Sequence, residues 1–291
     1  MKRTIKEHLY PLLLLAAAFL WGSTFVAQSI GSDHVGAFTF LAGRSLIAIV
    51  FLFPLNIVMD KERSSGLFFF RKEVLIAGLC CGIAVAFASA FQQFGVAYTT
   101  TAKAGFITSM YVVLVPVLSV FLGKRPAAGV WFCVAVSVVG MYLLCMKEGL
   151  YLSLGDGLVL ISALFFTLHI MVCDHFVKKI NGVMLSCMQF FFLAVFATVL
   201  MLVFEKPAAE DIKAAFPAML YAGIFSSGLA YTFQIVGQKH VKPAVASLIM
   251  CTESVFSALS GWVVLGEGLT LRELAGCALM FAAGIISNFF K

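Results

Sequence analysis

The sequence predicts an all-α integral membrane protein of ten transmembrane helices, built as two inverted five-helix repeats around a central cavity. Three observations carry that expectation. Of 291 residues, 62% are apolar and 12% charged, with a mean hydropathy of +1.04, whereas ordinary soluble chains carry about 25% charged residues. The apolar residues fall into ten runs, each near the roughly 20 residues that a helix needs to cross a bilayer. Finally, the second half of the chain repeats the pattern of the first.

The first run begins in "MKRTIKEHLYPLLLLAAAFLW". Its basic flank and apolar stretch are those of a signal peptide, but apolar character continues to Ile30, long enough to span. The reading is therefore an uncleaved first helix over 10–30. Polar or Pro/Gly breaks then delimit spans at 36–58, 73–97, 102–122, 128–146, 155–175, 183–204, 215–237, 243–264 and 270–289. Lysine and arginine test this count, because they concentrate on the cytoplasmic side of a membrane protein. With the N-terminus inside, that side receives Lys2, Arg3, Lys6, Lys61, Arg63, Arg71, Lys72, Lys124, Arg125, Lys178, Lys179, Lys239, Lys242 and Lys291. The other side receives Lys103, Lys147, Lys206, Lys213 and Arg272, and Arg44 falls inside a span. Both termini are thus expected in the cytoplasm and the chain in a bacterial inner membrane, as one transmembrane domain over 1–291.

Small residues at helical spacing, namely Gly78 with Gly82, Gly223 with Ser227, and Ala278 with Ala282, are expected at helix–helix contacts, where they let backbones approach. Eight cysteines, including the adjacent Cys80 and Cys81, form no CxxC and read as small packing hydrophobes. The net charge of +6 is spent on orientation, so no nucleic-acid partner is implied.

The repeat sets "QQFGVAYTTTAKAGFITSMY" (92–111) against "QIVGQKHVKPAVASLIMCTE" (234–253), with Gly95 opposite Gly237, Gln92 opposite Gln234, and Tyr111 opposite Glu253. "FLGKR" (121–125) follows "VLGEG" (264–268) one residue out of step, and "AFLWGSTFV" (18–26) matches "ALFFTLHIM" (163–171). This gives a repeat of about 8–147 and a second of about 152–291. Five spans per repeat is an odd number, so the second copy enters the membrane upside down, as in secondary transporters whose binding site lies between the halves.

"AAFLWGSTFVAQ", "FLAGRSLIAI", "FQQFGVAYTTTAKAGFIT" and "ESVFSALSGWVVLGEGLTLRELAGCALMFAAGII", taken in order, resemble the EamA-like members of the drug/metabolite transporter superfamily over essentially the whole chain. The resemblance implies a central cavity opening alternately to each side, and export or exchange of small metabolites, often amino acids or related compounds. The chain departs from the family pattern at Ser254, where many relatives carry a proline that would break the helix, and at Lys124-Arg125 in the first turn where the second copy keeps Glu267.

Charged residues inside spans are candidate functional groups, since insertion costs roughly 2.5–3.5 kcal/mol each. Glu253, at the centre of "SLIMCTESVFSALSGWVV" (247–264), and Arg44, about 12 Å from the outer end of its span at 1.5 Å per residue, are the two that stand out. Their opposite charges at compatible depths allow three readings: a pair with each other, contact with a charged substrate across a wet cavity, or separate structural partners; Glu253 is also a candidate proton carrier. Gln92, Gln93, Tyr111 and Gln234 are expected either at the substrate or as interhelical glue, because an amide in lipid needs a partner. Trp21, in "WGST", is a candidate stacking wall. His169 is either a cavity residue or a packed one. It belongs to "HIMVCDH", which invites a metal reading with Cys173, Asp174 and His175; yet His169 and His175 point about 240° apart on a helix, so no metal is expected.

No cofactor is implied, and no HExxH, GxSxG or Walker A motif, and no pair of intramembrane aspartates, points to an enzyme or primary pump. The reading is a secondary transporter of a small polar or amphipathic metabolite, acting as an exporter. A channel-like facilitator or an importing proton/metabolite exchanger is the alternative. Its partners are that substrate, the lipid bilayer and protons, with the oligomeric state, a homodimer included, left open.

Overall fold

The computed structural model describes residues 2–59, 71–145, 153–265 and 270–290, without the side chains of 2–8, 59, 102, 145 and 265. Among the charge and turn residues read from the sequence, Lys61, Arg63, Lys147, Glu267 and Lys291, and the side chains of Lys2, Arg3 and Lys6, lie outside the described residues.

Every described regular element is helical: α1 (Lys2–Ser32), α2 (Ala37–Met59), α3 (Lys72–Val96), α4 (Thr101–Thr108), α5 (Tyr111–Phe121), α6 (Ala128–Cys145), α7 (Leu154–Phe176) and α8 (Gly182–Phe204). There follow α9 (Ala209–Tyr221), a π-helical segment (Ala222–Ala230), α10 (Tyr231–Gln238), α11 (Pro243–Met250), α12 (Glu253–Leu265), α13 (Leu271–Ser287) and a 3₁₀ turn (Asn288–Phe290). Among the described residues, nine stretches are long and apolar enough to cross a membrane, and Ala128–Leu144 adds a shorter apolar helix. Large apolar side chains such as Val50, Phe132, Val203 and Val263 cover the outside.

Three spans are not the continuous helices expected. Span 4 is α4 then α5, and span 9 is α11 then α12. Both interruptions are two-residue turns held by bonds of i→i+3 type, such as Val112 N to the Ser109 carbonyl (2.9 Å) and Val255 N to the Thr252 carbonyl (3.0 Å). In span 9 side chains compete with the helical ladder: Thr252 Oγ1 donates to the Ile249 carbonyl (2.7 Å) and Ser247 Oγ to that of Ala244 (3.0 Å). Span 9 therefore breaks beside Glu253 without the family proline. Span 8 runs Ala209–Gln238, longer than expected, and passes through the π segment around Gly223 and Gly228.

The element boundaries of the two halves match in register. The first and last residues of α4 and α11, and the first of α5 and α12, differ by 142, the shift of the sequence repeat. The ends of α2 and α8 differ by 145, the shift that matches span 1 to span 6. Helix contacts follow the same exchange: α3 packs on α7 as α1 packs on span 8, while α2 meets α8, α6 meets α13, and span 4 meets span 9. Because each half crosses an odd number of times, that exchange relates copies of opposite orientation.

Close backbone approach explains the small residues. A side chain at Gly22 would strike the Glu253 carbonyl and Phe256, and Gly140 and Gly276 lie against each other's carbonyls. Gly78 and Gly82 seat Met188 and Phe192 of α8, and Gly223 seats Ile47 beside the Arg44 carbonyl. Ala278 and Ala282 correct the expectation: both are exposed, and α13 packs instead through Gly276, Met280, Ala283 and Gly284. With a helical step of about 100° per residue, the packed side of that helix lies opposite the two alanines.

Candidate functional site

Both interrupted helices cross at their interruptions, which places two half-helix N-termini, those of α5 and α12, at the centre of the bundle. A buried cavity opens beside them. Its walls are Trp21, Phe25 and Gln28 of α1, Arg44 of α2, Gln92 of α3, Thr108 and Tyr111 of span 4, Phe166 and Ile170 of α7, Ser226, Tyr231 and Gln234 of span 8, and Met250 and Glu253 of span 9. Ten of these form five repeat-related pairs: Trp21 with Phe166, Phe25 with Ile170, Gln92 with Gln234, Thr108 with Met250, and Tyr111 with Glu253. The cavity thus lies on the axis that exchanges the halves. It is narrow, admitting the centres of water molecules over only about 30 Å³.

Arg44 and Glu253 are 2% and 3% exposed, and no ion pair joins them. Arg44 donates from Nη2 to Ser89 Oγ (3.1 Å), while its Nε has no protein partner. Glu253 Oε1 lies 3.2 Å from Ser109 Oγ. The Tyr111 hydroxyl lies close to both Glu253 and Ser109 without reaching hydrogen-bond geometry to either. Gln92 donates to Thr108 Oγ1 (3.0 Å). Trp21 Nε1, Gln28 Oε1 and Gln234 Oε1 join Arg44 Nε and the Tyr111 hydroxyl as buried polar atoms of the cavity wall without a protein partner. Buried polar atoms are nearly always paired, so five converging on one space mark a place for a polar ligand.

Six of the eight residues singled out in the sequence line this space. Gln93 and His169 do not. Gln93 donates to the Gln28 carbonyl (3.2 Å) and Ser32 Oγ (2.8 Å), joining α3 to α1. His169 sits behind Tyr231, edge-on at 5.6 Å, with Nε2 2.8 Å from Gln189 Oε1 and 3.3 Å from Cys173 Sγ. Asp174 turns away from His169 to Lys124 (2.8 Å) and Lys178 (3.3 Å). Gln189 is the repeat partner of Arg44 at a shift of 145, so the two halves put a cation in the cavity and an amide on His169. Phe25, Gln28, Thr108, Phe166, Ile170, Ser226, Tyr231 and Met250 line the same space without having been singled out as site residues. The register alone finds two pairs of walls, since Phe166 and Ile170 lie opposite Trp21 and Phe25 in the sequence repeat.

A second, wider space opens on the lysine-rich face, admitting water centres over about 420 Å³ between Lys124, Lys178, Lys239, His240 and Lys242. Gln238 in its wall donates to the carbonyl of Ile170 in the cavity wall (3.4 Å). At the opposite face Lys103 pairs with Asp156 (2.7 Å), which also accepts from Thr99 Oγ1 (2.6 Å) and belongs to the capping box at the start of α7.

A helical membrane bundle with a buried, polar-lined cavity on its internal symmetry axis defines a multi-pass membrane transport protein. The EamA-like transporter family model matches the chain twice, over residues 8–146 and 153–289. The chain belongs to that family. It is 32% identical to an uncharacterized transporter of Archaeoglobus fulgidus, covering 96% of this chain and 86% of that one. It is 23% identical to the uncharacterized transporter YoaV of Bacillus subtilis over 95% of each chain. A protein of known crystal structure shares the fold with a TM-score of 0.77 over 95% of each chain, at 17% identity.

Proposed function

We propose that the protein is an alternating-access secondary carrier that moves a small zwitterionic or amphipathic metabolite, an amino acid or a related compound, out of the cell across a bacterial inner membrane. The observation that carries this reading is the cavity itself: one cation and one carboxyl, neither ion-paired, with five unpartnered buried polar atoms on the axis between the repeats. Burying charge in a bilayer without a partner is costly, and a substrate bearing complementary charges offsets that cost. Arg44 would hold the anionic end through its free Nε, and Glu253 the amine or, in its absence, a proton. Gln28, Gln92 and Gln234 would orient polar groups, with Trp21, Phe25 and Phe166 as the apolar wall.

The lysine excess supports placing the wide vestibule and both termini in the cytoplasm, so the narrow cavity would be loaded from inside. Comparing metabolites released by cells that overproduce or lack the protein identifies the cargo. Purified protein in liposomes then tests the mechanism: saturable flux and counterflow of that cargo are expected, and non-saturating flux without counterflow overturns the carrier reading in favour of a pore. A pH gradient that drives the cargo inward would reverse the assigned direction.

A further inference from the structure

The strongest unassigned feature is the contact between the two helix interruptions. Ser254 Oγ lies 2.6 Å from Ser109 Oγ and 2.9 Å from the Gly105 carbonyl, while Ser109 Oγ lies 3.2 Å from Glu253 Oε1 and 3.3 Å from the Cys251 carbonyl. All of these groups are buried, Ser109 and Ser254 fully so. We propose that Ser109 and Ser254 are the positioning residues of Glu253, forming a hydroxyl chain across both interruptions whose direction follows the protonation of the carboxyl. This rests on reading Glu253 as the proton carrier of the proposed transporter.

Counting protons gives the mechanism. Each serine has one hydrogen to donate, but Ser254 lies within reach of two acceptors and Ser109 of three. With Glu253 ionised, its oxygen accepts from Ser109, Ser109 accepts from Ser254, and the Gly105 carbonyl keeps only its helical bond from Ser109 N (3.1 Å). When Glu253 takes up a proton from water, its O–H donates to Ser109. The chain then reverses: Ser109 donates to Ser254, and Ser254 donates to the Gly105 carbonyl. Both states leave every hydroxyl paired, but only the protonated one ties span 9 to the Gly105 carbonyl of span 4. Proton occupancy thereby adds one bond between the repeats to the Ser109–Glu253 and Ser109–Ser254 contacts that both states keep, at the point where both helices are interrupted. The other titratable or charged groups around Glu253 are Tyr111 of α5, Cys251 in the interruption, Tyr231 of span 8 and Arg44 across the cavity. None of these side chains takes part in the serine chain as a hydrogen-bonded link.

Infrared difference spectra of the full-length protein in lipid nanodiscs, titrated with pH, test this without knowing the cargo. The protonated Glu253 carboxyl is the band that Glu253→Gln abolishes. Ser109→Ala is expected to change the frequency and titration midpoint of that band, and Ser254→Ala to change both by less, because it acts through Ser109. Ser254→Thr, which keeps the hydroxyl, should restore the wild-type band. Ser257→Ala is the control: equally buried in the same contact, its hydroxyl donates to the Thr101 carbonyl (3.1 Å) outside the chain. If Ser109→Ala does not fold, Ser109→Cys, similar in volume and weaker in hydrogen bonding, replaces it. A band indifferent to Ser109 and Ser254 substitutions, or moved as much by Ser257→Ala, overturns the chain, as does the lack of any band abolished by Glu253→Gln. Absent counterflow in the wild-type protein removes the carrier reading instead, whatever the band does.

Discussion

Gln92 and Gln93 are neighbours with the same chemistry, yet one helical step of 100° sends them to different surroundings. Gln92 looks into the cavity, while Gln93 ties α3 to α1. Opposite consequences are expected. Gln93→Leu should lower stability by about 1–3 kcal/mol, by stripping a buried partner from Ser32 and the Gln28 carbonyl, and leave cargo affinity unchanged. Gln92→Leu should raise the KM of cargo transport several-fold with little change in stability. Thermal unfolding and liposome flux on the same preparations separate the two. Arg44→Ala is expected to fold at wild-type yield, since no carboxylate is orphaned by its loss, and to abolish flux; loss of folded protein would instead make Arg44 a structural residue. The sequence flagged both glutamines and His169 alike because hydropathy and spacing report that a polar group is buried, not which neighbour satisfies it.

At the scale of elements, spans 4 and 6 come from different repeats and are tied at both ends, by Lys103–Asp156 on one face and Lys124–Asp174 on the other. The lysines are partly exposed, so each pair is worth at most about 1 kcal/mol. Asp156 does more, because it also closes the capping box with Ser153, and caps contribute about 0.5–2 kcal/mol. Asp156→Ala should therefore lower the unfolding midpoint distinctly more than Lys103→Met, a comparison that thermal unfolding in detergent makes directly. Gly22→Val should prevent assembly, because a side chain there meets the backbone of span 9; a monodisperse, wild-type elution profile on size exclusion would refute the packing argument. The interruptions of spans 4 and 9 were invisible to hydropathy, since two residues scarcely alter a window of about twenty. Ser247, Ser109 and Thr252 were the available signal, as hydroxyls able to compete with the helical ladder.

For the whole molecule, the proposed orientation makes the vestibule a cytoplasmic entrance. In sealed inside-out vesicles, Lys239→Cys should react with a membrane-impermeant maleimide and Lys103→Cys should not; in right-side-out vesicles the pattern should reverse. The sequence by itself determined that the chain is a helical membrane bundle, where its spans lie, and that its halves correspond, because each of these follows from apolar run length and from spacing along the chain. Only the tertiary structure decided which buried polar groups share one cavity, where two helices yield, and that Ser109 meets Ser254. Those facts depend on the rotation and depth of helices far apart in sequence, which packing fixes and composition does not record.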